Sequence, residues 1–240
     1  MKTCVIFPAA GLSSRFGEGE KKPYINLHGI PVWQRTVQLF YKRPDVYQLI
    51  LVISSRDRKV FELKYNDWLA FHNIDLAEGG AERHNSVANA MKLLKTEVTH
   101  IGIHDAVRPC VTTSQINEVF TAACASGAAV LATRVVQTVK KSNSLGQICQ
   151  TISRDNLWLA QTPQVFEKSI LIKAYALHGN TTSTDDSQLV ELLGFPVQLV
   201  PCGPENIKIT TPEDLRMAHY IIRHQQMFGA NEKTSQQESP

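Results

Sequence analysis

The chain has 240 residues, 43% of them hydrophobic and 20% charged, with a formal net charge of +3. That length suits one α/β domain with a single substantial core, and so small a charge excludes an argument for nucleic acid from bulk electrostatics. Five scattered cysteines (Cys4, Cys110, Cys124, Cys149, Cys202) show no C-x-x-C spacing, and no apolar run approaches membrane-spanning length, which predicts a cytoplasmic protein with reduced thiols and no membrane partner.

Cys4-Val5-Ile6-Phe7 is a short apolar run that predicts a buried strand. It empties into a loop from Pro8 to Tyr24, built of small residues, glycines and hydroxyls, with Arg15 and Lys22 as its bases. Small residues let the backbone approach a ligand and aim N–H groups at anionic oxygens, while arginine forks onto phosphate and lysine acts as a point charge. The chemistry invites a nucleoside triphosphate; a solvated surface turn is the plainer alternative. Two common phosphate loops fail here. No Gly-Lys-Ser/Thr closes the loop, and Gly11 is followed by Leu12-Ser13-Ser14-Arg15 rather than the dinucleotide fingerprint.

Asn26 to Ile30 reads as a turn, with Pro31 as a first helical residue ahead of Val32, Trp33, Val37 and Phe40. Leu49 to Ile53 predicts a strand buried on both faces, residues 56–71 a helix, and 73–77 a strand closed by Glu78-Gly79-Gly80. Such alternation predicts a doubly wound, mostly parallel, Rossmann-like sheet with ligands outside the carboxyl ends of its strands. Gly79 to Val87 lies at one strand end, and its local reading is a capped helix start with Asn85 or Ser86 near the N-cap. Ile101 to Pro109 is another, where Asp105 can hold Mg²⁺ through a hard oxygen or form a structural pair with Arg108.

Residues 115–125 predict a helix and 128–132 a strand. Residues 133–141 and 148–152 alternate around Asn143-Ser144-Leu145-Gly146, a hairpin that cannot bury itself alone. Trp158 and Phe166 read as core and Pro163 as a turn. Asp185 and Asp186 sit at a helix start, where acids are favoured without catalytic duty. Lys208 falls in a short alternating segment, and Thr211-Pro212 starts a last helix to about Gln226. One domain is expected over residues 1–228, with a disordered tail over 229–240.

Five ordered strings then carry a resemblance over nearly the whole chain: P-A-A-G with Arg15 and Lys22-Pro23-Tyr24, the turn at Ser86, His104-Asp105-Ala106-Val107-Arg108-Pro109, R-x-x-L-W with Q-T-P-Q-x-F, and N-I-K-I-T-x-P-E-D-L. The chain resembles the sugar-phosphate nucleotidyltransferases, and among them the methylerythritol phosphate cytidylyltransferase family. It departs from the family pattern at Ser13, Pro23 and Ala81, where glycine, glutamine and aspartate are usual. The resemblance implies transfer of a cytidylyl group from CTP to methylerythritol phosphate, in the non-mevalonate route to isoprenoids. It implies CTP binding by Pro8, Ala9, Ala10, Gly11, Ser13 and Ser14, with Gly80 and Ser86 at the cytosine. Arg15 and Lys22 would stabilise the pentacoordinate phosphorus, and Arg154 and Lys208 would hold the incoming phosphate. Asp105, Arg108, Thr138 and Thr162 would surround the substrate, with Asp105 also the candidate Mg²⁺ contact. By the same resemblance the hairpin at about 134–153 is an arm of a homodimer; an edge hairpin on a monomer is the alternative. A sister enzyme acting on ribitol 5-phosphate and a non-catalytic nucleotide-binding regulator are the competing functions.

Overall fold

A computed structural model describes residues 1–11, 22–178 and 183–235, with backbone alone for Lys22 and for 228–235. In chain order the strands are β1 (Thr3–Pro8), β2 (Asn26–Leu27), β3 (Ile30–Pro31), β4 (Val46–Ile53), β5 (Ile74–Glu78), β6 (His100–Ile103), β7 (Ala128–Arg134), β8 (Val139–Ser142), β9 (Ile148–Ile152), β10 (Trp158–Glu167) and β11 (Gln198–Pro201). The helices are α1 (Val32–Gln38), α2 (Arg58–Phe71), α3 (Arg83–Met91), α4 (Thr113–Ser126), α5 (Lys168–His178), α6 (Asp186–Glu191) and α7 (Pro212–Ser235).

Seven strands form one sheet in the order β11-β7-β10-β6-β1-β4-β5. All its pairings are parallel except those of β10, which runs antiparallel to both β6 and β7. The apolar runs explain why the sheet sits between two helical layers. Along β1, Val5 and Phe7 join one buried cluster with Trp33, Phe61 and Val119 from α1, α2 and α4. Cys4 and Ile6 join the other, with Val87, Leu171 and Leu189 from α3, α5 and α6. The chain leaves β1 for β4 and β5 on one side and then crosses back to β6 on the other. That reversal opens a crevice at the carboxyl ends of β1 and β6.

The structure differs from the sequence reading in particular places. Gln161 to Phe166, read as core around a turn, lies inside the ten-residue strand β10. Pro163 is tolerated there because the β7–β10 register breaks between Ala160 and Gln164, where no ladder donor is required. Lys208 lies in irregular chain rather than a strand, tied down by the Ile209 N–H donating to the Val107 carbonyl at 2.9 Å. The last helix passes Gly229 and continues to Ser235, where a disordered tail was expected; Ala230, Glu232 and Lys233 are good helix formers that offset one glycine. Residues 236–240 lie outside the described chain.

The β8–β9 hairpin forms a sheet of its own. Its Leu145 and Ile148 are 79% and 67% exposed, so its own body does not cover it. Among the described residues no helix is long and apolar enough to cross a membrane.

Gly127 ends α4 at φ 82°, a left-handed conformation in which a side chain is strained. An added Cβ would also stand 3.0 Å from Ile170 Cδ1 and 3.1 Å from Phe195 Cζ. Gly127→Ala is expected to lower stability by about 1–2 kcal/mol, read as an earlier denaturant midpoint at unchanged slope.

Candidate active site

Four strand ends and one returning segment build a cavity of about 660 Å³, with Ser54 to Arg56 coming from the end of β4. The end of β1 contributes Pro8 to Gly11, the end of β5 contributes Gly79 to Arg83, and Asp105 and Val107 follow β6; Lys208 arrives from the chain before α7. Sheet geometry brings them together. The Ala9 N–H donates to the Val52 carbonyl at 2.8 Å, and the Gly79 N–H donates to the Ile53 carbonyl at 2.8 Å. The two turns then touch: a Cβ on Gly79 would lie 2.3 Å from that of Ala10. Only glycine lets the loop after β1 and the turn after β5 approach so closely.

The turn at Ser86 differs from its sequence reading in one respect. Glu82, not Asn85 or Ser86, is the N-cap of α3, and Asn85 is the third residue of a capping box with it. This frees Ser86 to face inward. Its hydroxyl donates to the Glu82 carbonyl at 3.1 Å and accepts the Gly80 N–H at 3.0 Å. The exposed backbone of Gly80 is thereby fixed at the cavity wall.

Asp105 is the electrostatic centre. Its carboxylate is 9% exposed and meets Lys208 Nζ at 3.0 Å, Arg108 Nε at 3.2 Å and Arg83 Nε at 3.8 Å. Burial alone would raise its pKa, but Lys208, Arg83 and Arg108 together hold it well below the usual carboxylate range. Asp105 therefore stays ionised among three close cations.

Thr162 and Arg108, expected at the substrate, both engage Asp105 and are not among the described residues that line the cavity. The Thr162 hydroxyl accepts the Asp105 N–H at 3.0 Å, and the Arg108 guanidinium also donates to the Asn206 carbonyl at 2.8 Å. Asn206 closes the loop by donating to the Thr162 carbonyl at 2.9 Å. His104 completes this support. Its Nε2 lies 3.2 Å from the Arg108 carbonyl, which only accepts, so Nε2 carries the proton. Nδ1 is then an acceptor for the Thr162 hydroxyl at 3.1 Å. His104 is fully buried, and its part here is to brace this network.

Thr138 and Arg154 lie elsewhere. Both are exposed, Thr138 just before β8 and Arg154 just after β9, and Arg154 donates to the Val136 carbonyl at the base of the hairpin. Ser13, Ser14, Arg15 and the side chain of Lys22 lie outside the described residues. The sequence reading passed over Arg83 and Arg56, which both line the cavity. It also took Asp186 for a helix-start acid only; Asp186 is 1% exposed and meets Arg83 NH1 at 2.6 Å. The available signal was the charge itself, since an arginine inside a Gly-rich strand-end turn needs an acid nearby.

Burial pushes the His104 pKa down to about 4, and the Arg108 charge adds to this while the Asp105 carboxylate opposes it. The unfolded chain binds this proton near pH 6.5 and the native state does not, so stability is complete above that pH and falls as pH drops toward 4. The expected loss from this group reaches about 3 kcal/mol. Denaturant melts at pH 7.5 and pH 5 should show it, and His104→Gln should flatten the difference.

A family model described as 2-C-methyl-D-erythritol 4-phosphate cytidylyltransferase matches residues 3–224. The protein of that name from Rhodopirellula baltica is 39% identical over 229 residues, covering 91% of this chain and 93% of its own. The one from Pelotomaculum thermopropionicum is 38% identical over 228 residues, covering 94% and 96%. Among solved structures, the Francisella tularensis 2-C-methyl-D-erythritol 4-phosphate cytidylyltransferase superposes with a TM-score of 0.78 at 31% identity, covering 92% of this chain and 100% of that one. The 4-diphosphocytidyl-2C-methyl-D-erythritol synthase of Anaerococcus prevotii does so with a TM-score of 0.78 at 29% identity, covering 92% and 96%. With nearly all of the fold and the strand-end cavity inside the matched span, the chain belongs to the 2-C-methyl-D-erythritol 4-phosphate cytidylyltransferase family.

Proposed function

We propose that this chain transfers a cytidylyl group from CTP to 2-C-methyl-D-erythritol 4-phosphate, releasing pyrophosphate and giving 4-diphosphocytidyl-2-C-methyl-D-erythritol for isoprenoid biosynthesis. One observation carries the reading. The turn at Gly80 and Ser86, suited to a pyrimidine edge, and the Lys208–Asp105 pair, suited to a phosphorylated polyol, share a single cavity at the switch point.

The reaction asks little covalent chemistry of the protein. The nucleophile is a phosphate oxygen already ionised at neutral pH, since the second pKa of a phosphate monoester is about 6. It attacks the α-phosphorus of CTP in line, and pyrophosphate leaves. The obstacle is the repulsion of two polyanions, so catalysis rests on positioning and fixed positive charge. Lys208 is 43% exposed and reaches the cavity, where it meets the incoming phosphate. Arg15 and Lys22 act from the loop after β1, on the phosphorus under attack. The backbone from Pro8 to Gly11 lines the same cavity and receives the nucleotide, and Ser13 and Ser14 are assigned to the nucleotide by the family resemblance.

Mg²⁺ belongs with the nucleotide in this reading. Among the described residues no three His, Cys, Asp or Glu side chains are grouped to hold a metal. Asp105 does not fit as the metal's ligand, because three cations already stand within 4 Å of its carboxylate and a divalent ion would be repelled. Bound to the triphosphate oxygens, Mg²⁺ would lower the charge that the nucleophile meets.

The active unit is a homodimer. A two-stranded hairpin is marginal alone, and this one leaves Leu145 and Ile148 bare. Packed on a second copy, it carries Thr138 and Arg154 to the partner's cavity, where Arg154 joins Lys208 on the polyol phosphate.

Lys208→Ala is expected to lower kcat/KM for pyrophosphate release by at least about 100-fold in a folded protein whose melting temperature falls because Asp105 loses one of its three cations; a near-normal rate would remove the residue from the mechanism. Arg154→Ala should be as damaging. Co-expressing the two variants should restore activity through mixed dimers with one intact site, and no restoration would contradict the shared site. Faster turnover of ribitol 5-phosphate than of methylerythritol phosphate would overturn the choice of substrate.

A further inference from the structure

Arg83 opens α3, and its guanidinium lies between carboxylates from two other parts of the chain. It is 2.6 Å from Asp186 Oδ2 and 3.8 Å from Asp105 Oδ1. Asp186 is held on every side: its Oδ1 accepts the Tyr175 hydroxyl at 2.6 Å, and its N–H donates to Gln164 Oε1 at 3.1 Å. The shorter of the two contacts is the one to Asp186. This makes the two oxygens of Asp105 unequal. Oδ2 takes Lys208 and Arg108 at 3.0 Å and 3.2 Å. Oδ1 accepts no hydrogen bond from the described residues, since Arg83 stops beyond hydrogen-bonding reach. Asp105 lines the cavity, and of its two carboxylate oxygens Oδ1 is the one with acceptor capacity left for a ligand there.

We propose that Asp186 is a positioning residue: by holding Arg83 back, it keeps Asp105 Oδ1 open to accept a hydroxyl of the polyol phosphate. The proposal rests on the cytidylyltransferase reading for the identity of that hydroxyl-bearing ligand. An arginine released from Asp186 has one other carboxylate beside it, Asp105, and a guanidinium fork readily takes both oxygens of a carboxylate. The hydroxyl acceptor would then be covered. Asp186→Asn removes the charge that restrains Arg83 while keeping a side chain of the same shape beside the Tyr175 hydroxyl.

The test is steady-state kinetics on the full-length protein, with CTP and methylerythritol phosphate varied in turn, for wild type, Asp186→Asn and the double variant Arg83→Gln/Asp186→Asn. In Asp186→Asn the KM for methylerythritol phosphate is expected to rise at least tenfold while that for CTP stays within twofold. Removing Arg83 as well should recover most of that rise, because nothing then covers Oδ1. A merely structural Asp186 predicts the reverse: both KM values and kcat worsen together, and the double variant does no better than the single. Either result overturns the proposal, as does an Asp186→Asn enzyme with unaltered kinetics. Should Asp186→Asn fail to fold, the double variant, which removes both charges, decides alone. A rise in the KM for methylerythritol phosphate of no more than threefold supports the proposal, whatever its kcat, and a larger rise overturns it. Absence of pyrophosphate release by the wild type is a separate failure, which sinks the transferase reading and with it the ligand assigned to Oδ1.

Discussion

A carboxylate taken out of water stays ionised only when opposite charge surrounds it closely. Asp105 meets that condition through Arg108 three residues on, Arg83 at the start of α3, and Lys208 more than a hundred residues later. Three segments remote in sequence are thus held to one point by one buried charge. The cations gain as much as the carboxylate. Without a central anion, positive groups this close would repel one another and splay toward solvent. With it, the cavity is preset with fixed positive charge before any polyanion enters, and preset charge stabilises a transition state without reorganising during the reaction.

The fold makes this possible by bringing strand ends together. Parallel winding delivers the loop after β1 and the segment after β6 to the same edge, and the close approach of Gly79 to Ala10 sets the β5 turn against the first loop. The single antiparallel strand has a specific part in it. β10 runs beside β6 and places Thr162 under the Asp105 amide, where the Thr162 hydroxyl links His104 to the carboxylate's own backbone. Polar groups that seem remote from chemistry are therefore the fixings of the charged centre. Each donor and acceptor among Thr162, His104 and Asn206 that the network uses has a partner only while His104 is neutral.

Local pattern sufficed for some of this in the sequence and not for the rest. Apolar runs such as Leu49 to Ile53 announced strands buried on both faces, because no other element of that length tolerates them. Gly79-Gly80 and Asp105 stood out because special backbone and a charge at a strand end are visible without neighbours. β10 was hidden, since Pro163 breaks the strand pattern and its acceptance depends on a register slip in β7 that only pairing reveals. Arg83 and Asp186 were read separately for the same reason. Their meaning is their 2.6 Å contact, which no spacing in the chain encodes. The hairpin was legible as a hairpin, because alternation on either side of a polar turn is a local pattern.

The most direct test is a crystal structure of the protein with CTP and methylerythritol phosphate bound together. The account requires the cytosine edge against the Gly80–Ser86 turn and the polyol phosphate within hydrogen-bonding distance of Lys208 Nζ, both in the crevice between β1 and β6. A polyol phosphate seated away from Lys208, or a nucleotide held outside that crevice, would contradict it.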